Sequence, residues 1–252
     1  MVLKKGVGKE MYSLIVGATS EIAKEFIKKN PGKKYILTEI SQNYEALKQF
    51  IEEIQIDGAA FVLDVKNISE IEDLFQRFYR ENIKIENLIY IAGINYLCES
   101  VQTTEAIWDE VNSINLKGCF FVMKEAGKNM ILHNVKGRIV NIASQHGIVG
   151  NLNRAAYCAS KAGLINLNKV LALEWAPYGI RVNSVSPTFI LYNKNEEFFM
   201  NAVAKKEYLK NIPMKRYCNA TDVSNAISFL LAEENEMITG HNLVVDGGWT
   251  IK

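Results

Sequence analysis

The sequence predicts an α/β protein, in which a mainly parallel seven-stranded sheet is flanked by helices. Short apolar runs alternate along the chain with longer segments of helical periodicity. This alternation is typical of strand–helix–strand units, whose parallel strands are buried under helices on both faces. The chain has 252 residues and neither repeats nor linkers. We therefore expect residues 1–252 to form a single domain.

The composition excludes several classes of function. The net charge of +1 gives no electrostatic reason to expect binding to nucleic acid or to an anionic membrane. No apolar run approaches the ~18 residues of a membrane span, and the first residues lack a secretory leader. The four cysteines are scattered without a CxxC pair, which indicates reduced thiols in a cytoplasmic protein. The three histidines lack ligand spacing, so we expect no metal.

The first half of the chain contains four predicted strands, at residues 12–16, 35–38, 59–63 and 87–91. A helix follows the turn Gly17–Ser20 and is capped by Ser20, because apolar residues recur at helical spacing from Ile22 onward. Further helices are predicted at residues 44–54 and 68–80.

The second half continues the same alternation. A long helical stretch holds residues 108–130, and a strand at 137–142 leads into a helix that ends near Trp175. Another strand covers 180–185, and the last lies within 239–248. Residues 188–215 form an aromatic, mixed-charge insert, which we interpret as a mobile lid over the substrate. The alternative is a surface helix, with Phe198 and Phe199 simply in the core.

The first strand–turn–helix unit is where a dinucleotide-binding fold holds its phosphates, on helix N–H groups beside glycine. Gly17 lies at this turn, and Glu39 ends the second strand 22 residues later. An acidic residue at about this spacing bonds the adenine-ribose hydroxyls of NAD. It would also repel the extra phosphate of NADP. We therefore expect NAD in preference to NADP, although a lone glutamate at a strand end is often only solvated.

Ser144, Tyr157 and Lys161 are the candidates for the chemistry. Tyr157 and Lys161 are four residues apart on a predicted helix, which places their β-carbons roughly 5–6 Å apart. A neighbouring cation lowers the pKa of a phenol, which is near 10 when free. An acid–base catalyst works best with a pKa near the operating pH. Ser144, at the mouth of the preceding strand, is placed to hydrogen-bond the oxygen that the tyrosine addresses.

This arrangement, with Ala159 and Ser160 also matching a YxASK signature, resembles the active site of the short-chain dehydrogenase/reductase family. The resemblance implies a Rossmann-type doubly wound fold and a catalytic quartet. Tyr157 would exchange the proton of the substrate oxygen, which Ser144 positions. Lys161 would lower the pKa of Tyr157 and hold the nicotinamide ribose. Asn115, which follows Trp108 at the family's spacing, would distort its helix and complete a proton relay.

The resemblance also implies which residues bind the cofactor: Gly17, Thr19, Ser20, Ile22, Glu39, Asp64, Val65, Ala92, Gly93, Tyr157, Lys161, Pro187 and Ile190. Several positions depart from the family pattern, among them Ala23, Tyr90 and Thr188, and three others bear most directly on cofactor binding. Glu21 replaces a glycine of the phosphate loop, although it also suits the helix dipole and can point to water. Ile91 replaces an asparagine after the fourth strand. Tyr192 replaces a threonine that would contact the nicotinamide.

The resemblance implies an oxidoreductase that transfers a hydride between NAD(H) and a secondary alcohol or ketone. The segments 174–183, 187–190 and 245–250 are similar to those of members acting on sugar acids and polyols, such as gluconate dehydrogenases. Gln145 and His146 would then hydrogen-bond the substrate, although they could equally be turn residues. Two alternatives stay open: a 3-oxoacyl-thioester reductase, and an NAD-binding sensor without catalysis. The last strand and turn resemble a segment that often builds a homo-tetramer.

Overall fold

The computed structural model describes residues 10–192 and 195–251, and its centre is a sheet of seven strands. All neighbouring strands pair in parallel, as the sequence predicted. The strands are β1 Met11–Val16, β2 Tyr35–Glu39, β3 Gly58–Val62, β4 Lys84–Tyr90, β5 Arg138–Ile142, β6 Arg181–Pro187 and β7 Asn242–Val245.

The order of the strands in the sheet is β3-β2-β1-β4-β5-β6-β7. The chain therefore adds β2 and β3 on one side of β1, crosses back, and adds β4 to β7 on the other side. The loops after β1 and β4 leave in opposite directions, although Val16 and Tyr90 are neighbours in register. Ligands of open parallel sheets bind in the crevice that forms at such a switch point, at the carboxyl ends of the strands.

Helices cover both faces of this sheet. They are α1 Glu21–Lys29, α2 Tyr44–Ile54, α3 Ile68–Arg80, α4 Glu105–Asn112, α5 Cys119–Leu132, α6 Ala155–Trp175, α7 Glu196–Met200, α8 Ala202–Glu207 and α9 Ala220–Leu231. Successive strand residues point to opposite faces, so Leu14 packs under α3, α5 and α6, and Ile15 packs under α1, α2 and α9. The near-continuous apolar strands of the sequence therefore fill two cores.

The prediction of one continuous helix over residues 108–130 is wrong for residues 113–118. The helix begins earlier, at Glu105, and is interrupted by a π-helical segment, Ser113–Gly118, before α5 begins. Gly118 allows this segment to pack tightly, since a β-carbon there would lie 2.6 Å from the carbonyl oxygen of Val65. Insertions of this type within helices are frequent at functional sites.

A third apolar cluster lies after β6. It is built on Ala204, Tyr208, Ile212 and Tyr217, and Phe199 packs against it. Phe198 is 51% exposed. The alternative that both phenylalanines belong to the core therefore holds for Phe199 alone.

The described residues contain neither a membrane-spanning helix nor a cluster of metal ligands. No described helix has the length and apolar character needed to cross a membrane. No group of three or more histidine, cysteine, aspartate or glutamate side chains in the described ranges is arranged to hold a metal ion.

Candidate active site

Two cavities open at the carboxyl ends of the strands. One, of about 530 Å³, contains the side chain of Tyr157 and is called here the Tyr157 cavity. The other, of about 520 Å³, contains the side chain of Glu39 and is called the Glu39 cavity. Both are lined by Ser20, Ile91, Gly93 and Ile94, so together they form one elongated cleft across the switch point.

The turn after β1 forms one wall of the Glu39 cavity. Gly17 has a φ of +82°, and a β-carbon there would lie 2.8 Å from the amide nitrogen of Ala92. Only glycine combines this backbone conformation with so close an approach to the chain after β4. The Ser20 side chain caps α1 by accepting the Ala23 N–H at 3.2 Å. The turn therefore brings the N-terminus of α1 to the edge of the cleft.

Glu39 braces this turn as well as facing the cavity. One carboxylate oxygen accepts the N–H and hydroxyl of Thr19, at 3.1 and 2.5 Å, and the other accepts the N–H of Ile40 at 3.0 Å. A carboxylate has about four acceptor positions, so capacity remains for ribose hydroxyls. The sequence pointed to a ligand contact at this residue and did not reveal its bonds to the turn.

The other expected cofactor residues are distributed along the cleft. The Glu39 cavity is lined by Gly17, Thr19, Ser20, Glu39, Asp64, Val65, Ala92 and Gly93. The Tyr157 cavity is lined by Ser20, Ile22, Gly93, Tyr157, Lys161, Pro187 and Ile190.

The three departures that bear most directly on cofactor binding have different surroundings. Glu21 is exposed, lies 3.9 Å from Lys24 and lines neither cavity, although its charge contributes to raising the pKa of Tyr192. Ile91 is half-buried and packs against the apolar cluster on the α1 face of the sheet. Tyr192 lines the Tyr157 cavity, and burial raises its pKa well above the ordinary value.

Helix α6 carries the candidate catalytic pair. The ammonium nitrogen of Lys161 lies 5.8 Å from the centre of the Tyr157 ring and donates a hydrogen bond to the Ile142 carbonyl at 2.7 Å. Ile142 ends β5, so the strand fixes the lysine beside the phenol. Lys161 is 4% exposed, and burial lowers its pKa to about 8.

The pKa of Tyr157 differs from the expectation. Burial raises this pKa, and a hydrogen bond from Ser144 and the charge of Arg154 lower it by less. In the cofactor-free protein, Lys161 therefore does not bring the phenol below its ordinary pKa. Charge attraction and burial act in opposite directions on a phenol, and here burial has the larger effect.

Ser144 and its two neighbours line the same cavity. The Ser144 oxygen accepts the N–H of His146 at 3.1 Å, which leaves its hydroxyl proton available to another acceptor. Gln145 Oε1 and His146 Nδ1 are buried without a hydrogen-bond partner in the described chain. Burial, and secondly the charge of Arg154, lower the pKa of His146 to about 4, so its imidazole is neutral at pH 7. These neighbours form a turn, and both residues also line the cavity.

Asn115 lies behind the cleft rather than in it. Its side chain accepts the N–H of Ile94 and donates to the Ile94 carbonyl, both at 2.9 Å, and donates to Ser160 at 3.1 Å. A β-carbon on Gly93 would lie 3.2 Å from Asn115 Oδ1 and 3.4 Å from Lys161 Nζ. Asn115 thus joins the loop after β4 to α6 from within the π-helical segment.

Arg154 is a residue of the cavity that the sequence did not indicate. It is 8% exposed, and its guanidinium lies 5.7 Å from the centre of the Phe189 ring. Its Nε has no hydrogen-bond partner in the described chain. An arginine three residues before Tyr157 was the available signal, but only burial distinguishes it from the arginines of the surface.

The cleft fits a dinucleotide. It runs from Glu39 past the N-terminus of α1 to Lys161, and the turn at Gly17 leaves the backbone free to approach a pyrophosphate. Buried polar atoms without a partner, including Thr188 Oγ1, lie at the Tyr157 end. Gly17, Ser20 and Glu39 would hold the nucleotide, and Lys161 would hold the second ribose.

Comparisons with known proteins agree with this geometry. The family model described as enoyl-(acyl carrier protein) reductase matches residues 17–250. The 3-oxoacyl-[acyl-carrier-protein] reductase of Buchnera aphidicola is 37% identical over 238 residues, 94% of this chain and 96% of that protein. The NAD-dependent glycerol dehydrogenase of Listeria innocua is 33% identical over 95% of this chain and 94% of that protein. The solved structure of ElxO with NADP bound has a TM-score of 0.87 at 25% identity, covering 97% of this chain and 100% of that chain.

Proposed function

This chain belongs to the short-chain dehydrogenase/reductase family of oxidoreductases, and we propose that it transfers a hydride between NAD(H) and a secondary alcohol or ketone. We propose a sugar acid, a polyol or a similar small molecule as the substrate. The single observation that carries this proposal is the convergence of Ser144, Tyr157 and Lys161 on one cavity that is continuous with the Glu39 cavity.

The deprotonated oxygen of Tyr157 accepts the proton of the substrate hydroxyl in oxidation, and the phenol donates that proton to the carbonyl oxygen in reduction. When bound, the oxidised nicotinamide supplies the hydride acceptor and a positive charge, which lowers the pKa of a neighbouring phenol. This charge offsets the burial that raises the pKa of Tyr157 in the free protein. We propose that the Ser144 hydroxyl proton, which interacts with the Tyr157 oxygen in the free protein, turns to the same substrate oxygen when the substrate binds, while the Ser144 oxygen keeps the His146 N–H.

Lys161 supports this proton transfer in two ways. Its ammonium lies beside Tyr157, and its pKa of about 8 is close to neutrality, so it can gain or lose a proton during turnover. We propose that Asn115 is a positioning residue, which holds the Ile94 backbone and α6 in register and links Lys161 to solvent. Its three hydrogen bonds support the first of these roles.

We propose NAD as the preferred cofactor. The carboxylate of Glu39 is fixed by Thr19 and Ile40 at the end of β2, where it would accept ribose hydroxyls and repel a 2′-phosphate. The residues that follow it, Ile40 and Ser41, carry no positive charge. Lys34, which precedes β2, is paired with Glu10 and Asp57 at the opposite end of the strand. A tighter complex with NADP than with NAD would contradict this assignment.

The remaining expectations concern the whole chain. We propose that it acts as one catalytic domain in which residues 188–215 form a lid, since Phe189 and Phe199 lie between the Tyr157 cavity and the third apolar cluster. We also propose a cytoplasmic homo-tetramer. The edge position of β7, with Val244 37% exposed, supports association through this strand. Light scattering of the purified protein tests the assembly.

The experiment is a turnover assay with NAD and a panel of sugar acids, polyols and hydroxyacyl thioesters, followed by the absorbance of the reduced nicotinamide. We expect activity with at least one sugar acid or polyol, and we expect Tyr157→Phe to abolish it. Tyr178→Phe is the matched control, because Tyr178 is 53% exposed at the end of α6. Tight NAD binding without turnover of any compound would instead indicate a sensor.

One observation favours a second candidate, a 3-oxoacyl-thioester reductase. The relative with this activity is 37% identical over nearly the whole chain. The position of Glu39 argues against the NADPH that such an enzyme generally uses. Reduction of acetoacetyl-coenzyme A with NADPH at a higher kcat/KM than any oxidation with NAD would establish this second candidate.

A further inference from the structure

Arg154 is a buried cation without a counterion. Its residue exposure is 8%, and its side chain lines the Tyr157 cavity. Its neighbours are the ring of Phe189, 5.7 Å away, and the hydroxyl of Tyr208, with which it interacts. The carboxylate of Glu207 also interacts with the Tyr208 hydroxyl, but it forms no ion pair with Arg154, and none of the ion pairs between described residues includes Arg154.

The cavity around it is also free of carboxylates. Arg154 and Lys161 are the basic residues of the described lining, which contains neither aspartate nor glutamate. Lys161 is held by the Ile142 carbonyl and lies beside Tyr157. Arg154 is therefore the positive charge in the described lining that has no assigned role.

Burying an ion without a partner is costly, so buried charges in proteins are normally paired. The cation–π contact with Phe189 offsets only a minor part of this cost. A structural role in the aromatic cluster therefore does not account for Arg154. An anionic group of the substrate would supply the missing counterion.

We propose that Arg154 binds the carboxylate of the substrate, so that this enzyme acts on a polyhydroxy acid or its keto form rather than on a neutral polyol. This inference rests on the proposed function, because Tyr157 must meet the reacting hydroxyl of the same molecule. A guanidinium matches a carboxylate with two parallel hydrogen bonds.

The neighbouring groups agree with this assignment. His146 is neutral at pH 7, and it lines the same cavity as the uncharged Gln145, so neither side chain competes with Arg154 for an anion. One guanidinium balances the single charge of a carboxylate. A phosphate carries a charge of about −1.5 to −2, which is more than Arg154 alone neutralises, and Lys161 is held beside Tyr157 by the Ile142 carbonyl.

The experiment compares ligands of one carbon skeleton that differ in charge. Aldonates of four to six carbons, the corresponding alditols and glucitol 6-phosphate are titrated by calorimetry into the Tyr157→Phe protein with NAD present. The titrations are repeated on double variants that combine Tyr157→Phe with Arg154→Met, with Arg154→Lys or with the matched control Arg80→Met. Arg80 lies at the exposed end of α3. Circular dichroism and NAD affinity establish that each variant is folded.

We expect at least one aldonate to bind on the order of 100-fold more tightly than its alditol, and Arg154→Met to remove this difference. Arg154→Lys should retain part of the difference, because it keeps the positive charge and loses the pair of parallel hydrogen bonds that a guanidinium makes. Arg80→Met should retain all of the difference. If the methionine variant does not fold, Arg154→Lys still tests the proposal, because a lysine variant that keeps the whole aldonate preference would contradict a two-bond contact with the carboxylate. Equal binding of aldonate and alditol, preference for the phosphate, or no binding of any acid would overturn the inference.

The two proposals fail in different ways. Binding of an acid through Arg154, without turnover by the unsubstituted protein, contradicts the proposed function and keeps the carboxylate site. Turnover of neutral polyols that is unaffected by Arg154→Met keeps the proposed function and contradicts the carboxylate site.

Discussion

Replacing Lys161 by methionine should change how the stability of the cofactor-free protein depends on pH. Burial lowers the pKa of Lys161 from 10.5 to about 8 in the folded chain. Between these pH values the unfolded chain holds a proton that the folded chain has lost. The stability of the unsubstituted protein therefore rises with pH through this interval. Methionine fills similar space without a charge, so the variant lacks this rise.

The magnitude follows from the two pKa values. Each pH unit between them corresponds to about 1.36 kcal/mol, so the ammonium destabilises the folded chain by roughly 3.4 kcal/mol below pH 8. Integration from pH 7 to pH 10 gives the unsubstituted protein about 2.5 kcal/mol of added stability from this group. In the variant, the Ile142 carbonyl loses its 2.7 Å donor. That loss costs about 1–3 kcal/mol at every pH and leaves the slope unchanged.

Urea unfolding followed by tryptophan fluorescence measures this difference between pH 7 and pH 10. The protein concentration must be held constant, since association shifts apparent stability. Lys169→Met is the control, because Lys169 lies two turns further along α6 and is exposed. Its profile should parallel that of the unsubstituted protein. Parallel profiles for Lys161→Met and the unsubstituted protein would refute the reasoning, because Lys161 would then keep an ordinary pKa when buried.

Three further substitutions test the cleft. Gly17→Ala forces a side chain into a backbone of φ +82° against Ala92; we expect a loss of roughly 1–3 kcal/mol in thermal unfolding and weaker NAD binding by fluorescence titration. Glu39→Gln removes the carboxylate that would accept the ribose hydroxyls; we expect NAD affinity to fall about tenfold and NADP affinity to rise relative to it. Asn115→Leu leaves the Ile94 N–H and carbonyl without partners; we expect a loss of about 2–4 kcal/mol in urea unfolding.

Each of these substitutions has a matched control. Gly32→Ala meets nothing within 4 Å and should be neutral. Glu45→Gln removes an exposed carboxylate on α2 and should leave both cofactor affinities unchanged. Asn112→Leu alters an asparagine that bonds only within its own helix. If a substitution in the cleft and its control behave alike, the role given to that cleft residue is wrong.

The local pattern of apolar residues was sufficient to predict most of the strands and helices. The order of strands and helices followed from apolar periodicity, and α2 and α3 begin and end where this periodicity does. The neighbourhood of Tyr157 and Lys161 followed from helical geometry alone, because residues four apart share one face. Ser20 as a cap and Glu39 at the end of β2 were likewise readable from short segments.

The features that the sequence missed depend on distant residues. The π-helical segment contains Asn115, whose side chain bonds Ile94, 21 residues earlier. The direction of the Tyr157 pKa depends on burial by several elements, which no spacing within α6 encodes. In the sequence Arg154 cannot be distinguished from a surface arginine, because its burial depends on contacts with aromatic residues after β6, such as Phe189.

The sequence by itself determined the alternating elements, the parallel sheet and the adjacency of Tyr157 and Lys161, because these follow from periodicity and from contacts within one helix. Only the tertiary structure decided which charges are buried, which polar atoms lack partners and how far each pKa moves. Those properties depend on desolvation, which every element packed around a group contributes to and which no single segment carries.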